Sequence, residues 1–169
     1  PLPAALPIFE SAGGGRARGG IGSTWLAHAP EGAVVAAGIR HAGFALPATG
    51  TTPVIMIAGG IGMAPFRAFL EERALARAQG ETIGPALLFR CTRSAADTLY
   101  DDLVRDALAD GSLTHSVTLL DADDAVEPAQ VGGGTVLPAT FVHQATARPE
   151  WARVIQEYVA DGAHTYIAA

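Results

Sequence analysis

The segment Pro53 to Arg67, PVIMIAGGIGMAPFR, constrains the fold of this chain more than any other. Val54 to Ile57 form an apolar, branched run that reads as a buried strand. The run breaks at Gly59, Gly60 and Gly62, residues that tolerate positive φ and let another group approach bare backbone. Pro65 suits the first turn of a helix, where a missing N–H leaves no gap in the hydrogen bonding. Phe66, Phe69, Leu70 and Ala74 then fall at helical spacing, Arg67 stands four residues before Glu71, and Gly80 occupies a C-cap position. Strand, glycine turn and helix start in direct succession offer free amides and a positive dipole end to an anion such as phosphate.

The turn is not the G-x-G-x-x-G fingerprint, since its third glycine would be Pro65 and no acidic residue ends the next strand. A tight β-to-α turn with no ligand is the other reading of the same residues. Beyond it, the pattern predicts strands at 53–58, 86–91, 113–119 and 163–168. Helices are expected at 63–79, 97–109, 139–147 and 150–160, with a long loop over 120–138. Apolar strands alternating with helices make this an α/β chain with a doubly wound parallel sheet, whose ligands sit at the carboxyl ends of the strands. Before the linker Pro47 to Pro53, Val34 to Ile39 and Phe44 to Leu46 read as strands. Ser23 and Thr24 read as a cap for a short helix carrying Trp25, Leu26 and His28. Residues 1–19, with SAGGGRARGG, are expected to be the edge of a preceding domain or a surface loop.

Composition removes several function classes. The 11 basic residues are all arginine, so the lysine of a P-loop, a protein kinase or a Schiff-base enzyme is missing. A net charge of −6 disfavours nucleic acid and anionic membrane surfaces, and no apolar run spans a bilayer. Cys91 is the one cysteine, which precludes an internal disulfide and makes the cytoplasm the expected compartment. The histidines lack metal-ligand spacing, and no metal site is expected.

Ile57 to Arg73, IAGGIGMAPFRAFLEER, closely resembles the nicotinamide-dinucleotide segment of ferredoxin-NADP reductase-like enzymes, in particular the diflavin reductases. Leu88 to Tyr100, LFRCTRSAADTLY, is similar to their F-G-C-R and D-x-L-Y segments, and Gly20 to Ala27, GIGSTWLA, to their G-V-C-S-[TN]-x-L flavin segment. Phe141 to Gln144 and Gly162 to Ile167 resemble Y-V-Q and G-A-H-x-Y-[VI], in the family's order.

This resemblance implies a division into the end of a flavin-binding barrel, 1–50, and an NAD(P)-binding domain, 51–169, with the family's last strand beyond it and one sheet edge open. It implies FAD and NADPH or NADH as cofactors, and a haem or flavodoxin-like (FMN) module as electron acceptor. Gly59, Gly60, Ile61, Gly62, Met63, Ala64 and Pro65 would cradle the dinucleotide pyrophosphate, Ile61 standing where the family has threonine. Gly20, Gly22, Ser23 and Thr24 would hold the flavin pyrophosphate, although a plain helix cap accounts for the same residues. Cys91 and Arg93 would line the nicotinamide end, Cys91 being also a natural small core residue. Arg90, at a family glycine, would either grip phosphate or crowd the pocket, while Asp97 and Tyr100 would cap and pack a helix.

Phe141 and His143 fall on the family's tyrosine and glutamine. Asp121, Asp123, Asp124 and Glu127 replace the basic residues that hold a 2′-phosphate, so NADH is expected to bind at least as well as NADPH. Ala168 and Ala169 replace a cysteine and glycine beside the reacting face. The sequence therefore points to a reductase that passes hydride from NAD(P)H to FAD. A degenerate binding or interaction module that kept only the fold is the alternative.

Overall fold

The computed structural model describes residues 8–9, 18–19, 21–38, 43–94, 98–120, 129–138 and 141–168, in two compact units, Pro1–Ala42 and Gly43–Ala169. In the first, β1 (Ile8–Phe9) pairs antiparallel with β2 (Arg18–Gly19), and α1 (Ile21–His28) follows. The expected strands at 34–39 and 44–46 do not form in their described residues. Val34 is 95% exposed: without a partner strand or a covering layer among the described residues, an apolar run gains nothing by extending into a ladder.

The second unit is built on a six-stranded sheet. β3 (Val54–Gly59) enters a 3-10 turn at Gly60–Gly62 and then α2 (Met63–Ala78). β4 (Ala86–Thr92), α3 (Asp101–Asp110), β5 (His115–Leu120), β6 (Ala129–Val131) and β7 (Gly134–Pro138) come next. α4 (Val142–Thr146), α5 (Pro149–Ala160) and β8 (His164–Ala168) complete the unit. The strand order is β6-β7-β5-β4-β3-β8, and only the β6–β7 pair is antiparallel.

Alternate residues of each strand feed two cores. Val54, Met56, Ala58, Ala86 and Leu88 pack with Phe66, Phe69 and Leu70 of α2 and Val104 of α3. Ile55, Leu87, Phe89, Val117 and Leu119 pack with Ala145 of α4 and Trp151 and Tyr158 of α5. Each large apolar side chain so buried contributes about 1.5–3 kcal/mol. Both faces are covered, so the expected doubly wound α/β fold is the observed one. A further aromatic cluster ties residues 43–47 to this unit: Phe44 contacts Phe66, Phe69 and Tyr166, and the Tyr166 hydroxyl donates to the Ala45 carbonyl at 2.8 Å.

Three details depart from expectation. The loop foreseen over 120–138 contains the β6–β7 hairpin, whose Gly132 and Gly133 take φ of 57° and 83°, as a two-residue turn between twisted strands requires. α3 begins at Asp101 rather than 97, because Tyr100 sits in the left-handed region at φ 59° and interrupts the helix; Asp97 lies outside the described residues. Ser23 and Thr24 fall inside α1 rather than ahead of it. α2 ends where the glycine predicts: after the C-cap Gln79, Gly80, at φ 81°, donates to the Arg77 carbonyl, while the Glu81 amide reaches Ala76.

Candidate functional site

The carboxyl end of β3 and the start of α2 form the candidate site. Of its glycines only Gly60 takes positive φ, 49°; Gly59 stays extended at −106° and Gly62 is helical at −59°. No side chain caps the 3-10 turn or α2 by a hydrogen bond. The Met63 amide donates to the Gly60 and Ile61 carbonyls and is therefore committed. The amides that open the turn, those of Gly60, Ile61 and Gly62, are the ones a helix start leaves without an intrahelical partner. Ile61 is 64% exposed, Ala64 is exposed and Pro65 half-buried, whereas Met63 and Gly62 are buried. Met63 anchors the turn from below while Ile61 faces outward, an apolar side chain with no hydroxyl to offer a ligand.

Cys91 is the register neighbour of Gly59 across β3 and β4. It is half-buried against the α5-side core, and burial raises its thiol above the ordinary cysteine range. Arg93, just past β4, is exposed and makes no ion pair among the described residues. Arg90 behaves otherwise. Its Nη1 meets the Asp101 carboxylate at 2.6 Å and its Nε donates to Thr118 Oγ1 at 2.8 Å. Burial works against its charge and Asp101 sustains it, so this guanidinium is already engaged. Arg67 bonds Glu71 at 2.8 Å, as the spacing predicted, and its guanidinium lies 5.6 Å from the centre of the Tyr100 ring.

Phe141 and His143 follow β7, three strands from β3, at a lateral distance of about 14 Å by ordinary strand spacing. Their exposed rings stack at 5.6 Å and 14° between planes, and the Gln144 side chain accepts the Phe141 N–H at 3.0 Å. In the other unit, Gly22, Ser23 and Thr24 lie in the first turn of α1, where amides are free. The Thr24 hydroxyl is buried without a partner among the described residues, and its carbonyl accepts from His28 Nδ1 at 2.8 Å. Gly20, Asp121, Asp123, Asp124, Glu127 and Ala169 lie outside the described residues. The described residues contain no cluster of histidine, cysteine and carboxylate groups able to hold a metal, and no helix long and apolar enough to cross a membrane.

Comparison with known families matches residues 56–159, from the first strand of the sheet into α5, to the oxidoreductase NAD-binding domain. The chain belongs to this family. The NAD-binding domain is also similar to NADPH–cytochrome P450 reductases. It is 40% identical to that of Rattus norvegicus over 118 residues, which cover 66% of this chain and 17% of the relative. It is 42% identical to the human protein over 108 residues, 60% of this chain and 16% of the relative. With the Aspergillus niger protein it shares 48% over 65 residues. The match thus spans about a sixth of the rat and human proteins' length and 9% of the Aspergillus niger protein's, and the ferredoxin-NADP reductase-like family suggested by the sequence segments is the one found.

Proposed function

We propose that the chain is the nicotinamide-dinucleotide-binding part of a flavin-dependent reductase that takes hydride from NAD(P)H. One observation carries this reading. The strand that opens the parallel sheet ends in a turn whose leading amides have no side-chain cap, beside Cys91, in the stretch matched by the NAD-binding family. A pyrophosphate suits that turn. Gly60 brings its backbone to the surface with no atom within 4 Å of where a Cβ would stand, and the helix dipole favours an anion there.

In this reading the Gly60, Ile61 and Gly62 amides bind the bridge, and Arg93 adds a cation beside it. Phe141 and His143 present a flat face on which a base would stack. Cys91, neutral at pH 7, bounds the nicotinamide end without offering a charge. Bound FAD would supply the hydride acceptor, with Gly22, Ser23 and Thr24 contributing amides and hydroxyls to its pyrophosphate. Residues 1–50 would then be the end of a flavin-binding barrel and 51–169 the dinucleotide domain. The electron acceptor would be a haem or FMN module, and the compartment the cytoplasm. As the acidic segment 121–127 carries no cation for a 2′-phosphate, NADH is proposed to bind at least as tightly as NADPH, although the relatives are named for NADPH.

A silent binding module is the second reading. Ala168, in register with Ala58 at the sheet's carboxyl edge, has no group with which to align a ring, and misplacement by about 1 Å can cost on the order of a hundredfold in rate. Calorimetric titration with NADH and NADPH tests binding; absence of saturation by either would end the proposal. Ferricyanide reduction with added FAD separates the reductase from the silent module.

A further inference from the structure

A cavity of about 490 Å³ lies between α3 and the β5–β7–β6 end of the sheet; of the residues considered above for the dinucleotide or flavin, Arg90 alone lines it, and its guanidinium is held by Asp101 and Thr118. It exists because the hairpin widens the sheet beyond the helix that covers it. The hairpin turn closes against α3, where a Cβ on Gly132 would meet the Arg105 side chain at 3.6 Å and one on Gly133 would meet Leu108 at 3.8 Å. Behind the turn, Val104 and Leu108 face Val131 and Val136 across open space. The volume is that of a small-molecule site.

Its polar groups are few and specific. Ser116 is 3% exposed, lines the cavity, and has no hydrogen-bond partner among the described residues. Two residues along the same face of β5, Thr118 Oγ1 accepts from Arg90 and keeps its own proton free to donate. The charges at the rim are already balanced: Arg90 by Asp101 at 2.6 Å, and Arg105 by Asp102 at 2.7 Å. An ionic ligand would have to displace one of these pairs. An apolar one with an acceptor atom would fill the volume and accept from the two hydroxyls that open onto it.

We infer that this cavity is a second ligand site, for an uncharged, largely apolar ring compound bearing a carbonyl or ether oxygen that accepts from Ser116 and Thr118. It is independent of the dinucleotide reading. The test is fluorescence titration of the whole chain with Nile red, an uncharged dye of this class. One saturable, blue-shifted site is expected, unaffected by NADH or NADPH. Ser116→Ala should weaken it about fivefold, and Val136→Trp, which fills the space, by more than tenfold. Leu108→Phe, a smaller intrusion, should give an intermediate loss and guards against a misfolded tryptophan variant. Lack of saturation, displacement by either dinucleotide, or unchanged affinity in both Ser116→Ala and Leu108→Phe would overturn the assignment.

Discussion

Gly59 and Cys91 are paired in register at the carboxyl ends of adjacent parallel strands, which sets the single thiol beside the turn proposed to take a pyrophosphate. Burial raises that thiol, so it is protonated and a poor nucleophile at neutral pH. Alkylation by iodoacetamide at pH 8 should be slower than that of a free thiol such as glutathione and accelerate only above the ordinary cysteine range. Cys91→Ala should leave dinucleotide affinity within about twofold, because the grip is by backbone amides. Rapid labelling at pH 7 would contradict the first expectation.

Gly60 holds φ 49° with no neighbouring atom to obstruct a side chain, so substitution there costs backbone strain alone. Gly60→Ala should lose about 1–2 kcal/mol and a β-branched Gly60→Val more. Dinucleotide affinity should fall with it, since the amides would turn away from the ligand. Urea unfolding beside NADH titration measures both, and an unchanged midpoint would show that the turn relaxes freely.

Arg73 is 4% exposed and has no carboxylate partner among the described residues. Its Nε donates to the Ser112 carbonyl at 2.8 Å and its Nη2 to the Gly84 carbonyl at 2.5 Å. Burial lowers its pKa without threatening its charge. Arg73→Met fills similar space but strands two acceptors, so a loss of about 3 kcal/mol is expected in denaturant melts. Gly84→Ala should destabilise as well, because a Cβ there would collide with the Thr51 backbone.

His115 packs against Trp151 at 5.9 Å, and burial lowers its pKa below 6.5. The unfolded chain therefore takes up a proton before the folded one does. Stability should be complete above pH 6.5 and fall as pH drops below it, levelling off once the folded-state pKa is passed. His115→Phe should flatten that slope, and calorimetric melts from pH 7.5 to 5 would show it.

Tyr166→Phe removes the bond to Ala45 while keeping the ring cluster with Phe44 and Phe69, and should cost about 1 kcal/mol. Tyr166→Ala should cost several times that, because β8, which among the described residues pairs with β3 alone, leans on this contact.

Much of this molecule was legible along the chain, because local rules decide it. Short continuous apolar runs fixed β3, β4 and β5 to within a residue or two, and helical spacing with Gly80 bounded α2. The glycine turn was recognisable because so few residues open a helix directly from a strand. The Gly-Gly pair that builds the β6–β7 hairpin was equally present, but a turn becomes a hairpin only if a sheet edge waits for its strand, and β5 supplies that edge. The run at Val34 shows the converse, apolar and extended in composition yet without a partner strand among the described residues. The chain's own order of residues thus determined the strand–turn–helix unit and the family. The tertiary structure decided which charges are spent, as with Arg90 on Asp101, and where space is left, as between α3 and the widened sheet. Ion pairs and cavities depend on residues distant in sequence meeting at fixed separations, and no local pattern encodes that.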